Sequence, residues 1–446
     1  MRALDAEGIL AGLNPEQRAA VETVRGPLCI LAGAGTGKTT TITRRIAWQV
    51  ASGAFPAQQI VAVTFTDKAA GELRARLRAL GADGVRASTF HSAALTLLRH
   101  FEGDPGRILP SKAPLLRRIG NSLPGAFRFR PAGDLATEIE WAKNRRLTPD
   151  TYRERLGDHE PPIPADLSLR VFREYERRKS DEGLLDFEDL LELAVRLFEE
   201  NAEAGALVRE RWRAFTVDEY QDVNLLQQEL LDQWLGGRDE LCAVGDDWQS
   251  IYGFTGASPQ WLLDMPARFP GCRVVRIEES YRSTPQVVAL ANRLAPKLRT
   301  ALPDGPEVVI EPGVDVAARI RELGVPLEEI AVLVRTNARA VDFEEAFHDA
   351  DIPFQGASLL DRDAARRLLR VLPREEGPVG EVVRRLALAD GWLTDPPDKL
   401  GDREQTRQAD LARLVRLAAE FDGGCGEFAS SLRDRFGASA GRGVHL

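Results

Sequence analysis

A chain of 446 residues, 43% hydrophobic and 28% charged, has the material for roughly two to four globular domains, and it carries neither a membrane-length apolar run nor a basic-apolar-small leader. Its 59 basic and 68 acidic side chains leave a net charge of -9, which excludes broad electrostatic adhesion to nucleic acid but allows a local basic groove. Four scattered cysteines without a CxxC pair argue against a zinc site or a disulfide framework, and the expected compartment is the cytoplasm.

Near the start, Leu13-Asn14-Pro15-Glu16-Gln17 reads as a helix entry. Gln17 could read an adenine edge through its amide, or sit exposed behind an N-cap. The apolar Leu28 to Leu31 then predicts a strand, and Thr39 to Val50 a helix. Between them lies Ala32-Gly33-Ala34-Gly35-Thr36-Gly37-Lys38-Thr39, followed by Thr40. Glycines there would turn backbone N–H groups toward phosphates, Lys38 could reach the β and γ oxygens, and the Thr39 hydroxyl could hold Mg²⁺. Only Ala32, where glycine is commoner, departs from the usual cradle.

Ile60 to Phe65 predicts a second strand and Lys68 to Leu80 a helix. Thr64-Phe65-Thr66-Asp67-Lys68-Ala69-Ala70 and Thr89-Phe90-His91-Ser92 each end an apolar stretch with hydroxyls and a ring. Such rings serve a core, or they stack on bases beside backbone contacts. His91 reads as a hydrogen-bonded structural histidine rather than a catalytic base, because no serine or cysteine nucleophile set accompanies it.

A helical insertion is expected over residues 101–170, since the cradle and the next chemical motif are too far apart for one small nucleotide domain. From Lys112 to Arg146 within it, Lys112, Arg117, Arg118, Arg128, Arg130, Lys143, Arg145 and Arg146 outnumber Asp134, Glu138 and Glu140. That excess describes either a solvated helical face or a contact with duplex or junction DNA. Trp212 to Val217 leads into Asp218-Glu219-Tyr220-Gln221-Asp222, adjacent carboxylates at a predicted strand end. Asp218 would hold a metal through its outer coordination shell, and Glu219 would activate water. With the cradle, this predicts a hydrolytic ATP site. Leu241 to Gly245 predicts another strand, followed by Asp246-Asp247-Trp248-Gln249-Ser250-Ile251-Tyr252. Gln249 would lie near the phosphates with Tyr252 and Phe254 beside it, so a changed contact at Gln249 could shift rings that touch bases.

A second α/β unit is expected from Val274, with strands at Arg273 to Ile277, Glu307 to Glu311, Ala331 to Arg335 and Phe354 to Gln355. Helices are expected at Pro285 to Leu294, Val316 to Glu322 and Ala338 to Ala350. From Gly356 the sequence turns arginine-rich and helical, and Leu411, Leu414, Val415 and Ala418 form a core stripe. The expected fold class is therefore α/β, with a first domain of residues 1–100 and 171–273, a second of 274–355, a helical insertion of 356–440 and a return at 441–446.

With these motifs in order, the chain resembles the UvrD/Rep/PcrA family of superfamily 1 DNA helicases from Leu13 onward. Asn14 to Gln17 is similar to the Q motif, Ala32 to Thr39 to motif I, Thr64 to Ala70 to motif Ia and Thr89 to Ser92 to motif Ib. Asp218 to Asp222 resembles motif II, Gly245 to Tyr252 motif III, and Tyr281-Arg282-Ser283-Thr284 motif IV. The resemblance implies two RecA-like P-loop domains with parallel sheets, each with an inserted helical subdomain, and the second incomplete. It implies ATP in the cleft with Mg²⁺, single-stranded DNA across the top and 3′ to 5′ movement in DNA repair or replication. It further implies that Tyr281 stacks on adenine, that Arg282 points at the γ-phosphate, and that Arg335-Thr336-Asn337 touches the single strand. The Phe254 to Pro259 segment is similar to a subgroup whose longer members carry a helicase-associated domain, whereas the broader family usually has Trp and Arg at positions 254 and 255. Gly443-Val444-His445-Leu446 resembles the lead-in to motif V. The chain is thus expected to bind ATP and single-stranded DNA with little unwinding by itself, and the alternative is an ATP-gated DNA-binding module with weak ATPase. No protein partner is indicated.

Overall fold

The computed structural model describes residues 6–125, 127, 130–295, 297–335, 337–355, 359–396, 402–436 and 443–446. Arg128 and Thr336 lie outside the described residues. The chain divides into two compact units, Met1–Pro124 with Leu135–Val309, and Gly125–Asp134 with Ile310–Leu446.

Among the described residues, ten strands belong to the first unit: β1 Leu28–Ala32, β2 Ile60–Thr64, β3 Arg86–Thr89, β4 Arg107–Ile108, β5 Leu184–Leu185, β6 Ala214–Val217, β7 Leu241–Gly245, β8 Arg273–Ile277, β9 Glu279–Ser280 and β10 Arg299–Thr300. Six of them form one parallel sheet in the order β3-β2-β6-β7-β1-β8. Strands β1, β2, β6 and β7 read as continuous apolar runs because helices cover both faces, so no position along them can be spared for solvent. On one face Trp234 stacks on Phe90 at 5.9 Å and on Phe215 at 6.2 Å. On the other, Leu28 and Ile30 pack with Ile42 and Ile46 of the Lys38–Ala51 helix. Helices on both faces leave the carboxyl ends of the strands as the place where loops can gather for chemistry.

The strand Arg273–Ile277, expected to open the second unit, instead pairs with β1 from Leu28↔Arg273 to Ala32↔Ile277 and forms the sheet's edge. Its alternating exposure, with Val275 and Ile277 buried and Arg273, Val274 and Arg276 exposed, is that of an edge strand covered on one face. The helical insertion also ends later than residue 170. A two-stranded ladder of β4 with β5 brackets it, and the Ala165–Asp181 helix belongs inside that bracket.

In the second unit the Val316–Leu323 and Asn337–Asp349 helices stand beside the short ladder of β11 (Phe354–Gln355) with β12 (Val444–His445). Gly443 permits that ladder: its φ is +115°, and a Cβ there would lie 2.1 Å from the Pro353 carbonyl oxygen. The expected strand at 307–311 does not form, and Ala331–Arg335 contributes only a bridge from Ala331 to His445. A separate helical core gathers Leu411, Leu414 and Ala418 with Leu368, Val383 and Phe428, and Val415 packs at its margin. Among the described residues no helix is long and apolar enough to cross a membrane.

Candidate nucleotide site and nucleic-acid surface

Strand β1 ends at the buried Ala32 and releases the chain into the glycine loop, with Ala34 exposed at its tip. Gly35 and Gly37 take φ of +75° and +83°, conformations that cost a side chain but let the loop curl in front of the Lys38–Ala51 helix N-terminus. A Cβ on Gly35 would lie 2.6 Å from Arg282 Cβ and 2.7 Å from Ser280 Oγ, so the loop is also closely walled. Thr36 is buried and its hydroxyl donates to the Gly33 carbonyl at 2.8 Å. Gln17 Nε2 donates to the Thr36 carbonyl at 2.9 Å, while Gln17 Oε1 accepts from Asn14 N–H at 3.1 Å. Gln17 is thus neither exposed nor a plain cap: it is the third residue of a capping box that also braces the loop.

Tyr281 and Arg282 follow β9 and meet the same loop, the Tyr281 N–H donating to the Gly35 carbonyl at 2.9 Å. The Tyr281 hydroxyl accepts from Asn14 Nδ2 and donates to Glu279 Oε2, both at 2.9 Å, leaving its ring half-exposed next to the capping box. Arg282 is exposed.

Across the loop, Lys38 Nζ lies 3.1 Å from Glu219 Oε2. Glu219 takes φ of +50°, a left-handed conformation rare for a side chain with a Cβ, two residues past the end of β6. Burial pushes the Asp218 carboxyl up to about 6, with Glu219 adding to it and Lys38 opposing. Asp222 is likewise raised to about 6 by burial and by Glu219. Gln221 Nε2 donates to Glu219 Oε2 at 2.9 Å, and its Oε1 accepts from the Asp246 N–H at 3.0 Å. Gln249 Nε2 in turn donates to Asp246 Oδ2 at 2.8 Å. One chain of hydrogen bonds therefore runs from the glycine loop's lysine through Glu219 and Gln221 to the segment after β7. Lys297 joins its far end, bonded to Asp247 and 5.5 Å over the Trp248 ring.

Beyond Gln249 the side chains turn outward. Tyr252 and Phe254 are 46% and 58% exposed with ring centroids 6.2 Å apart, and Trp248 is 55% exposed. Trp248 was open to sequence reasoning, since an indole beside two such rings after a polar strand end has little reason to be core. The other expected base contacts differ. Phe90 is buried against Trp234, so it is a core ring and not a stacking surface; a ring after a hydroxyl fits both patterns. Thr64 is buried at the end of β2. Phe65 is half-buried, edge-on to Phe90 at 6.5 Å, and Thr66 is exposed as the N-cap of the Asp67–Ala79 helix. His91 packs edge-on against Phe187 at 5.7 Å, and burial, helped by Lys112, pushes its pKa down to about 4, so it stays neutral. In the second unit Arg335 is exposed, and the Asn337 side chain lies outside what is described.

Most of the insertion's expected phosphate contacts are spent internally. Lys112 pairs with Glu188 at 2.7 Å and Glu140 at 3.1 Å. Lys143 reaches Asp186, Asp189 and Glu176 at 2.7, 2.5 and 3.2 Å. Burial opposes the charge on Lys143, yet those carboxylates hold its pKa well above the usual lysine value. Arg146 pairs with Glu192 at 2.8 Å and Glu199 at 3.0 Å. The acids that neutralise them fall largely after residue 170, beyond the window that made the segment look basic.

The profile of the UvrD/REP helicase N-terminal domain family matches residues 13–270. The ATP-dependent DNA helicase UvrD2 of Mycobacterium tuberculosis is 41% identical over 92% of this chain and 65% of its own length. PcrA of Bacillus subtilis is 32% identical over 84% of this chain and 54% of its own, and UvrD1 of Mycobacterium tuberculosis 32% identical over 90% and 56%. The chain thus spans less than two thirds of the length of these relatives.

Proposed function

Because the chain belongs to the UvrD/REP helicase family, we propose that it is an ATP-hydrolysing motor that moves 3′ to 5′ along single-stranded DNA and binds duplex or junction DNA, acting in the cytoplasm in repair or replication. The observation that carries this reading is the continuous network from Lys38 through Glu219, Gln221 and Asp246 to Gln249, on the segment that carries the exposed rings of Trp248, Tyr252 and Phe254. A hydrolytic centre is thereby tied to a surface suited to unpaired bases.

The residues suit a magnesium nucleotide. Gly35 and Gly37 curl the loop in front of the Lys38–Ala51 helix N-terminus, and Asp218, raised by burial and then by Glu219 with Lys38 opposing, is a carboxyl whose charge a cation would favour. In this reading the loop from Ala32 to Thr40 holds the phosphates, Thr39 and Asp218 hold Mg²⁺, and Lys38 and Arg282 neutralise phosphate charge. The ion, when bound, supplies electrostatic stabilisation of the transferring phosphoryl group. Glu219 takes the proton of the attacking water, which frees Lys38 from its carboxylate partner. Gln17 keeps the loop in shape for the base, beside which Tyr281 stacks. Gln249 lies on the segment that leads to Tyr252 and Phe254, so a change of partner at its amide would move the rings. Phe65 and Thr66 add contacts to the single strand.

The test combines ATPase and direction. Glu219→Gln should retain nucleotide binding and lose DNA-stimulated hydrolysis, while Lys38→Ala should lose both. The parent chain, given ATP, should displace streptavidin from the 5′ end of an oligonucleotide and not from the 3′ end. Hydrolysis at the parent rate by Glu219→Gln would remove the assigned base, and displacement from the 3′ end would reverse the assigned direction.

A further inference from the structure

The insertion meets the ring-bearing loop at the C-terminal end of its Ala132–Asn144 helix. Asn144 Nδ2 donates to the Thr255 carbonyl at 2.8 Å. The loop is a tight turn in which the N–H groups of Thr255 and Gly256 bond back to the carbonyls of Tyr252 and Gly253, each at 3.0 Å. Gly256 has φ of +93°, and a Cβ on it would sit 3.3 Å from Asn144 Cβ, 3.5 Å from the Trp141 carbonyl and 3.7 Å from Arg145 Cγ. The turn that presents Phe254 is therefore seated on the helix end, with Arg145 immediately beside it.

Three cations occupy this helix end, and their fates differ. Lys143 and Arg146 turn to carboxylates within the insertion. Arg145 is exposed, and among the described residues no carboxylate lies within ion-pair distance of it. Its guanidinium lies over the Trp141 ring at 5.0 Å, and Trp141 is itself fixed by stacking on His159 at 3.6 Å. An arginine plane ordered on an indole has already given up much of its rotamer freedom, so it can meet an anion at reduced entropic cost.

We propose that Arg145 is a phosphate-backbone contact for single-stranded nucleic acid, supplying from the insertion the cation that the aromatic shelf of Trp248, Tyr252 and Phe254 lacks on its own loop. The ligand class is the phosphodiester chain, read without regard to base. Rings take the bases and the guanidinium takes the linkage between them, the division of labour expected for sequence-tolerant strand binding. This inference rests on the DNA-motor reading. It also gives the insertion a part in strand binding, because the same helix end that fixes the turn through Asn144 delivers the charge.

The experiment titrates the full chain against a fluorescein-labelled oligothymidylate at several salt concentrations and reads log Kd against log salt. Each phosphate neutralised on a single strand contributes about 0.7 to that slope. Arg145→Gln should flatten the slope by about 0.7 and weaken binding about fivefold near ~0.1 M salt, whereas Arg145→Lys should keep the slope. Phe254→Ala should weaken binding with the slope unchanged. A full parent slope in Arg145→Gln, alongside weakened Phe254→Ala, would overturn the role of Arg145 and leave the motor reading standing. A parent chain with no salt-dependent binding would overturn both.

Discussion

Asp218 and Asp222 flank Glu219 in a space where burial disfavours charge, and both carboxyls are raised to about 6. A folded-state pKa above the unfolded value means that the folded chain holds protons the unfolded chain has lost. Stability from this pair is therefore full below about pH 4 and declines as pH rises to about 6. Asp218→Asn should remove its share, so the stability of the nucleotide-free parent relative to this variant should fall across that window. The expected change is on the order of 1–2 kcal/mol, with partial solvent access discounted. Thermal unfolding of both proteins between pH 4 and 6.5 measures it, and parallel curves would show that Asp218 is not so perturbed. Lys38, Asp218 and Glu219 were legible in the sequence because loop, helix start and strand end each announce themselves within a few residues. The function of Gln221 was not, since its two partners, Glu219 and Asp246, are joined only when β6 and β7 lie side by side.

The first residue of the Phe90–Phe101 helix shows where local pattern fails. Phe90 follows a hydroxyl at a strand end as a base-stacking ring would, but its partner Trp234 comes from a helix far along the chain, Leu225–Leu235. Phe90→Ala should cost about 3–5 kcal/mol of stability, while the folded protein keeps its affinity for single-stranded DNA. Phe254→Ala should do the reverse, weakening strand binding by about 1–3 kcal/mol with little change in melting. Denaturant titration and anisotropy on the same two variants separate the roles, and matched losses in both assays would mean that the assignments are mixed. The insertion's helices make a second case. Lys143→Ala should destabilise by about 1–3 kcal/mol, because it removes one of the two buried ammonium groups, Lys143 and Lys179, that share Asp186, Asp189 and Glu176. If urea unfolding of Lys143→Ala matched the parent while DNA affinity fell, the lysine would be a phosphate contact after all. Charge counting over a window could not foresee this, because helices that neutralise one another need not be adjacent in sequence.

At the scale of the molecule, the α/β class and the parallel sheet could be read from alternating strand and helix signals, but the membership of β8 could not. A five-residue strand carries no mark of which sheet it joins, and only pairing with β1 assigns Arg273–Ile277 to the first unit. That pairing also puts Tyr281 and Arg282 on the same body as the glycine loop. The sheet order has a consequence for how the protein is made. Strand β1 lies between β7 and β8, whose partners Cys242 and Arg273 are more than two hundred residues downstream of Leu28. At about 5–20 residues per second, a ribosome needs on the order of 10–40 s to deliver them, and for that interval β1 emerges with both hydrogen-bonding edges open. The nascent chain must be shielded for that time, so its yield in a cell should depend on chaperone supply and translation speed far more than the stability of the finished sheet would suggest.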